Sequence, residues 1–285
     1  MEANSTLSTQ TIEQTTHTTQ TTQKNSPLTF GKGLWYGIQF LLLQLAITIP
    51  IALAGFAIYG MADQTAANNF IISLGVPIAF IGCAWYFYKK RGVINTAFQW
   101  DASYFKLAPL GLLLIFSISY IVGQIMTLLP GYEAMLEMYK AMFAGVNPIA
   151  LMIGAALIGP ICEEIIFRGV ILEGLAKKYN PTKAIIFGAL IFGIIHLQPL
   201  QVINAFFLGL ALGWIYLRTQ SLWVCIVAHV LYNAIALSGD TGETESIRAY
   251  FDNDLFYYGS FAFAALMIYL TYKGIQEVTD NQSIA

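Results

Sequence analysis

From Gly33 onward the chain is a succession of eight apolar runs, at about residues 34–61, 70–88, 107–129, 148–175, 182–197, 200–217, 222–237 and 256–272. Most reach the roughly 20 residues that an α-helix needs to cross ~30 Å of hydrocarbon. Inside a bilayer the backbone must satisfy its own hydrogen bonds, which makes helices of such runs. The fifth and seventh, at 16 residues each, are short, so they begin below the bilayer or end inside protein. Only 11% of the 285 residues are charged, against about 25% in a soluble domain. The expected fold is all-α: a polytopic integral membrane protein of about eight transmembrane helices.

Either side of this membrane domain, placed at residues 30–275, the material changes. Residues 1–29 are Thr, Gln, Ser and Asn with few apolar side chains, too little to offset the entropy of ordering, so they are expected to form a disordered cytoplasmic tail. They have neither the basic start nor the apolar core of a signal peptide. Residues 276–285 form a second short tail. Residues 132–144 place Tyr132, Met135, Met138, Tyr139, Met142 and Phe143 at helical spacing among Glu133, Glu137 and Lys140, the pattern of an interfacial helix.

Orientation follows from the basic residues. With eight spans and the N-terminus inside, twelve of the fourteen Lys and Arg fall on the cytoplasmic side and only Lys140 and Arg248 outside. That asymmetry predicts both termini in the cytosol, with the acidic loop 238–255 outside. The net charge of −2 offers no basic face for nucleic acid. Cys83, Cys162 and Cys225 lie in apolar runs at no ligand spacing and read as small buried hydrophobes. No inverted repeat of the transporter kind is visible. Gly209-x-x-x-Gly213 predicts a close helix-packing face on the sixth span.

Against this background one stretch stands out: Pro160-Ile-Cys-Glu163-Glu164-Ile-Ile-Phe-Arg168, in the middle of the fourth run. A charge at mid-membrane costs ~2.5–3.5 kcal/mol on insertion scales, so one that persists usually has a partner and a task. Glu164 and Arg168 are four apart, acid first, the favourable order for a helical pair. Glu163 points elsewhere and is left free. Pro160 cannot donate to the carbonyl of Ala156, so the helix should loosen one turn before the carboxylates.

The two intramembrane histidines are His196, on the fifth run, and His229, on the seventh, where Asn233 follows four residues later on the same face. A lone membrane histidine is commonly a helix–helix hydrogen bond. Three otherwise apolar spans that together contribute two Glu, an Arg, two His and an Asn suggest a buried polar site between the fourth, fifth and seventh spans. At 1.5 Å per residue, Glu163 lies about 22 Å from the outer boundary and His229 about 10 Å from the inner one, which agree. His196 comes out about 10 Å too high, unless the fifth span begins in the cytosol.

Glu-Glu-x-x-x-Arg, Phe-x-x-x-His and His-x-x-x-Asn, in that order on successive spans, resemble the three motifs of the CAAX-protease and bacteriocin-processing (Abi) family, whose members include the type II CAAX prenyl endopeptidases. The resemblance covers about residues 145–240. It implies an intramembrane endopeptidase with Glu163, Glu164 and Arg168 from the first motif, His196 from the second, and His229 and Asn233 from the third.

These groups suit amide hydrolysis. Glu163, with His196 beside it, would take a proton from water attacking the scissile carbonyl. His229 and Asn233 would donate to the oxyanion, while Glu164 and Arg168 hold the helix and balance charge. No Ser, Cys or Asp stands in a nucleophile arrangement and no His-Glu-x-x-His occurs, which leaves a zincin without support. A metal-free glutamate mechanism is favoured. The alternative is a divalent ion such as Zn²⁺ on Glu163, His196 and His229 with one open position. The expected partners are a protein or peptide substrate and the lipid bilayer, most simply a bacterial plasma membrane. Two other readings remain at this point: a non-catalytic membrane partner, such as a bacteriocin-immunity factor or scaffold, and an ion-coupled transporter.

Overall fold

In the computed structural model the described residues are 26–60, 63–91, 98, 101–238 and 253–282. They form nine helices and no strand: α1 Phe30–Tyr59, α2 Gln64–Arg91, α3 Tyr104–Met126, α4 Tyr132–Phe143, α5 Pro148–Ala176, α6 Pro181–Ile194, α7 Pro199–Thr219, α8 Leu222–Ser238 and α9 Asp254–Gln282. Each of the eight apolar runs is a helix. Six of them (α1, α2, α3, α5, α7 and α9) are long and apolar enough to cross a membrane, while α6 and α8 are shorter. The protein is a multi-pass membrane protein.

Three helix starts follow one local rule. Asn147-Pro148, Asn180-Pro181 and Gln198-Pro199 each place a side-chain acceptor before a proline at the first helical position. Asn147 Oδ1 accepts from Ile149 N at 2.9 Å, Asn180 Oδ1 from Lys183 N at 2.9 Å and Gln198 Oε1 from Gln201 N at 2.8 Å. Proline has no N–H to leave unsatisfied there, and its fixed φ suits the first turn. The helix expected at 132–144 is α4, a short helix with no fully buried residue.

α5 is the axis of the bundle. Ile166, Phe167, Val170, Ile171 and Leu172 along it are all buried. α1 and α9 show most of their apolar side chains outward, among them Leu53, Ile58 and Phe263, as lipid-facing helices do. The face expected at Gly209 and Gly213 is real. A Cβ on Gly209 would come 3.0 Å from the Ala189 Cα, so α7 and α6 touch backbone to backbone there, and Gly213 faces Ile185.

Two ends differ from the sequence reading. Residues 26–29, assigned to the disordered tail, pack: Leu28 is buried and donates its N–H to the Gly174 carbonyl at 2.7 Å. A Cβ on Gly174 would meet Leu28 Cγ at 2.5 Å, so the strap seats in a notch that only glycine leaves. At the other end, α9 runs on to Gln282, past the residue 275 boundary, where Arg218 of α7 pairs with Asp280. Nearly all of residues 1–29 and most of the acidic loop 238–255 lie outside the described residues.

Candidate active site

The proline at 160 shapes α5 through its backbone. Met152–Ile158 and Glu164–Leu172 are π-helical, with a short α segment Gly159–Glu163 between them. Gly159 N bonds Gly154 O, five residues back. In that register residue 160 would donate to Ala155 O, and proline cannot. The carbonyl that loses its partner is therefore Ala155 rather than the Ala156 expected from α-helical spacing. Asn233 of α8 takes it: its Nδ2 donates to Ala155 O at 3.0 Å. π-turns of this kind recur at functional sites because they re-aim the side chains that follow.

Those side chains are the two glutamates. Glu164 is fully buried and its Oε1 accepts two hydrogen bonds, from Arg168 Nη1 at 2.8 Å and from His229 Nδ1 at 2.8 Å. The Glu164–Arg168 pair expected from spacing is present, and a third member from α8 joins it. The Arg168 guanidinium also lies over the Phe192 ring, 4.5 Å from its centroid, a cation–π contact out of water. A buried charge pair is tolerable only when its remaining polar atoms are satisfied. Among the described residues, Glu164 Oε2 and Arg168 Nη2 have no hydrogen-bond partner, so the pair leans on its three strong contacts.

Glu163 points the other way, into a cavity of about 490 Å³. The cavity runs from Glu163 and His229 past His196, Asn233 and Asn204 to Tyr139 of α4. His229 Nε2 stands 4.0 Å from Glu163 Oε2, too far for a direct hydrogen bond but close enough for one water to reach both. Because Nδ1 is held by a carboxylate, which only accepts, the Nδ1 proton is in place and Nε2 is the nitrogen that faces Glu163.

His196 follows the C-terminus of α6 and lines the same cavity, so the depth mismatch computed from its position does not take it out of the site. Its Nδ1 donates to Phe192 O at 2.7 Å, which leaves Nε2 as the acceptor in the neutral ring. The Phe192 ring packs against both imidazoles, at 4.9 Å from His196 and 6.2 Å from His229. All six residues singled out in the motifs thus converge on one place. Glu163, His196, His229 and Asn233 line the cavity, and Glu164 and Arg168 stand behind it. The immediate imidazole neighbour of Glu163 is His229, where the sequence reading sets His196 beside it.

Among the described residues, no three of His, Cys, Asp and Glu are gathered closely enough to hold a metal ion. Glu163, His196 and His229 all line the cavity, and with Nδ1 held by Glu164 the His229 ring turns Nε2 towards Glu163. Sequence reasoning passed over several polar residues that also line the cavity: Gln44 of α1, Gln201 and Asn204 of α7, Tyr139 of α4 and Tyr232 of α8. Asn204 Nδ2 donates to Tyr232 Oη at 3.0 Å. Their one sequence signal was polarity inside otherwise apolar runs or, for Tyr139, a place on the amphipathic segment 132–144.

Residues 145–235 match the family model described as Type II CAAX prenyl endopeptidase Rce1-like, which bears out the resemblance carried by the three motifs. The chain is also 28% identical over 163 residues to the "Putative membrane peptidase YdiL" of Bacillus subtilis (strain 168). That alignment covers 57% of this chain and 63% of the relative, so it spans less than two thirds of the relative's length. No solved structure matches the chain.

Proposed function

We propose that this chain, Rce1-like over residues 145–235, is an intramembrane endopeptidase that hydrolyses a peptide bond of a membrane-associated protein or peptide. The observation that carries the reading is the opposition of Glu163 Oε2 and His229 Nε2 at 4.0 Å across the wall of a cavity within the bundle.

Water held between these two atoms gives its proton to the Glu163 carboxylate as its oxygen bonds the scissile carbonyl carbon. The carbonyl π electrons move to oxygen, and the resulting oxyanion receives hydrogen bonds from Asn233 and, when both its ring nitrogens are protonated, from His229. Collapse of the intermediate breaks the C–N bond, and the proton on Glu163 passes to the leaving amine. The products are a carboxylic acid and an amine, which exchange a proton to leave as carboxylate and ammonium. His196, with Nε2 as an acceptor on the cavity wall, orients the water or a substrate N–H. Glu164 and Arg168 fix the His229 ring. No step in this scheme uses a metal.

The cavity reaches α4, the helix between the end of α3 and the start of α5. With both termini in the cytosol, that end is the outer one, so substrate enters from the outer leaflet of a plasma membrane and meets Glu163 deep inside. An ion-coupled transporter or a scaffold would not need Glu163 and His229 to face each other around a space for water.

The test is a comparison of new protein N-termini by mass spectrometry in membranes from cells making the wild-type chain or Glu163→Gln. Cleavages present only with the wild type, at equal abundance of the two proteins, are the expected result. Identical N-terminal profiles would remove the endopeptidase reading.

A further inference from the structure

Among the nine described helices, α4 alone has no buried residue, so apolar packing anchors it little. Yet three of its side chains, Tyr139, Met142 and Phe143, line the cavity. A glycine in the left-handed region stands at each end, Gly131 at φ 75° and Gly145 at φ 72°, angles that glycine alone adopts freely. Between these joints lies one stiff rod of twelve residues, ~18 Å long.

The two ends are not equivalent. At Gly145 the chain is pinned to α2: Asn69 Nδ2 donates to the Gly145 carbonyl at 3.1 Å, and Asn69 Oδ1 accepts from Asn147 N at 2.6 Å. Asn147 in turn caps α5. At Gly131 an added Cβ would have nothing within 4 Å, so that end has room to move. A latch lies between them, where Gln198 Nε2 donates to the Met135 carbonyl at 3.1 Å. Gln198 is buried, its Oε1 is spent on Gln201 N, and Leu197 before it takes a φ of 62°. A non-glycine residue in that region is held there by its surroundings, and here it aims the latch at α4. Further along α4 the Tyr139 hydroxyl lies beside the Gln201 side chain. Hydrogen bonds of this kind hold little net free energy, since water replaces them on opening, and segments so lightly packed open first.

We infer that α4 is a hinged lid on the cavity: it pivots at Gly145, swings at Gly131, is held shut by Gln198, and opens to let substrate pass beneath it towards Glu163. Closed, it shields the space between Glu163 and His229 from lipid and bulk water. The lid stands on the contacts above; that a substrate peptide passes beneath it rests on the endopeptidase reading.

The experiment uses the full chain in lipid nanodiscs, with spin labels on Glu137→Cys of α4 and Leu255→Cys of α9, both exposed positions. The native cysteines are buried, so the chain without these two changes serves as the blank. Pulsed dipolar spectroscopy should show two label–label distances, the closed one dominant. Gln198→Met keeps the length of the side chain and removes the latch donor. Tyr139→Phe removes the hydroxyl beside Gln201 and leaves the turn at Leu197 untouched. Each should enlarge the second population. With a synthetic peptide spanning the strongest wild-type-dependent cleavage site as probe, each should also raise kcat/KM about 3–10-fold, the worth of one lost hydrogen bond. A single distance, the same in the wild type and both variants, overturns the inference. Shifted distances with kcat/KM unchanged or lowered overturn it too, because the moving helix would then not gate entry. Absence of any wild-type cleavage removes the endopeptidase reading, and the distances still decide whether α4 opens.

Discussion

Glu164 of α5 holds His229 of α8 through a 2.8 Å hydrogen bond to Nδ1, and that one contact decides which nitrogen of His229 faces Glu163. Two adjacent carboxylates thereby take different work. Glu164, enclosed and shared with Arg168, orients and balances charge. Glu163, on the cavity side, is the carboxylate to which we assign the proton transfers of the proposed reaction.

The division gives opposite signatures for two substitutions of the same chemistry. Glu163→Gln keeps shape and should leave abundance and thermal midpoint unchanged while lowering the cleavage rate by about 10²–10⁴, the usual size of general-base catalysis. Glu164→Gln leaves the Arg168 charge uncompensated in a buried setting, which costs ~3–5 kcal/mol, and frees the His229 ring. It should lower both the thermal midpoint in detergent and the rate. Equal stability of the two variants would contradict the separation of roles.

Asn233 carries a structural duty next to its proposed catalytic one, since it satisfies the Ala155 carbonyl that Pro160 leaves bare. Asn233→Ala should cost about 10²–10³ in rate through the lost donor and ~1–3 kcal/mol of stability through the unpaired carbonyl. Pro160→Ala supplies a backbone N–H in its place. The double variant should recover thermal stability relative to Asn233→Ala and recover none of the rate. Recovery of both would mean that Asn233 acts on the fold alone.

The metal question is settled by chelation. Purified protein dialysed against a strong chelator should retain full cleavage of the probe peptide, with elemental analysis finding no stoichiometric metal. Loss of activity that only Zn²⁺ or Co²⁺ restores would turn Glu163, His196 and His229 into ligands and displace the glutamate-base scheme.

Orientation is tested with single cysteines on a background that already hides Cys83, Cys162 and Cys225 in the core. Leu128→Cys, between α3 and α4, should label with a membrane-impermeant maleimide from outside intact cells. Lys177→Cys, after α5, should label only once the membrane is opened. The reverse pattern would turn the cavity mouth towards the cytosol.

Much of this protein was legible in the chain itself. Length and apolarity of the runs determined the helices, because hydrocarbon leaves a backbone few other choices. Asn-Pro and Gln-Pro pairs determined three helix starts, and Glu164-x-x-x-Arg168 determined a contact, because both are local and need nothing beyond helical spacing. The cost of burying charge was enough to single out Glu163, His196 and His229, and helical spacing from His229 added Asn233. What spacing along one helix cannot express is what lies across from it. Only the packing of α8 against α5 put His229 beside Glu163 and gave Glu164 a second partner. Only the π register of α5 moved the orphaned carbonyl from Ala156 to Ala155, where Asn233 reaches it. Each is a relation between side chains on different helices, fixed by how neighbouring surfaces interlock.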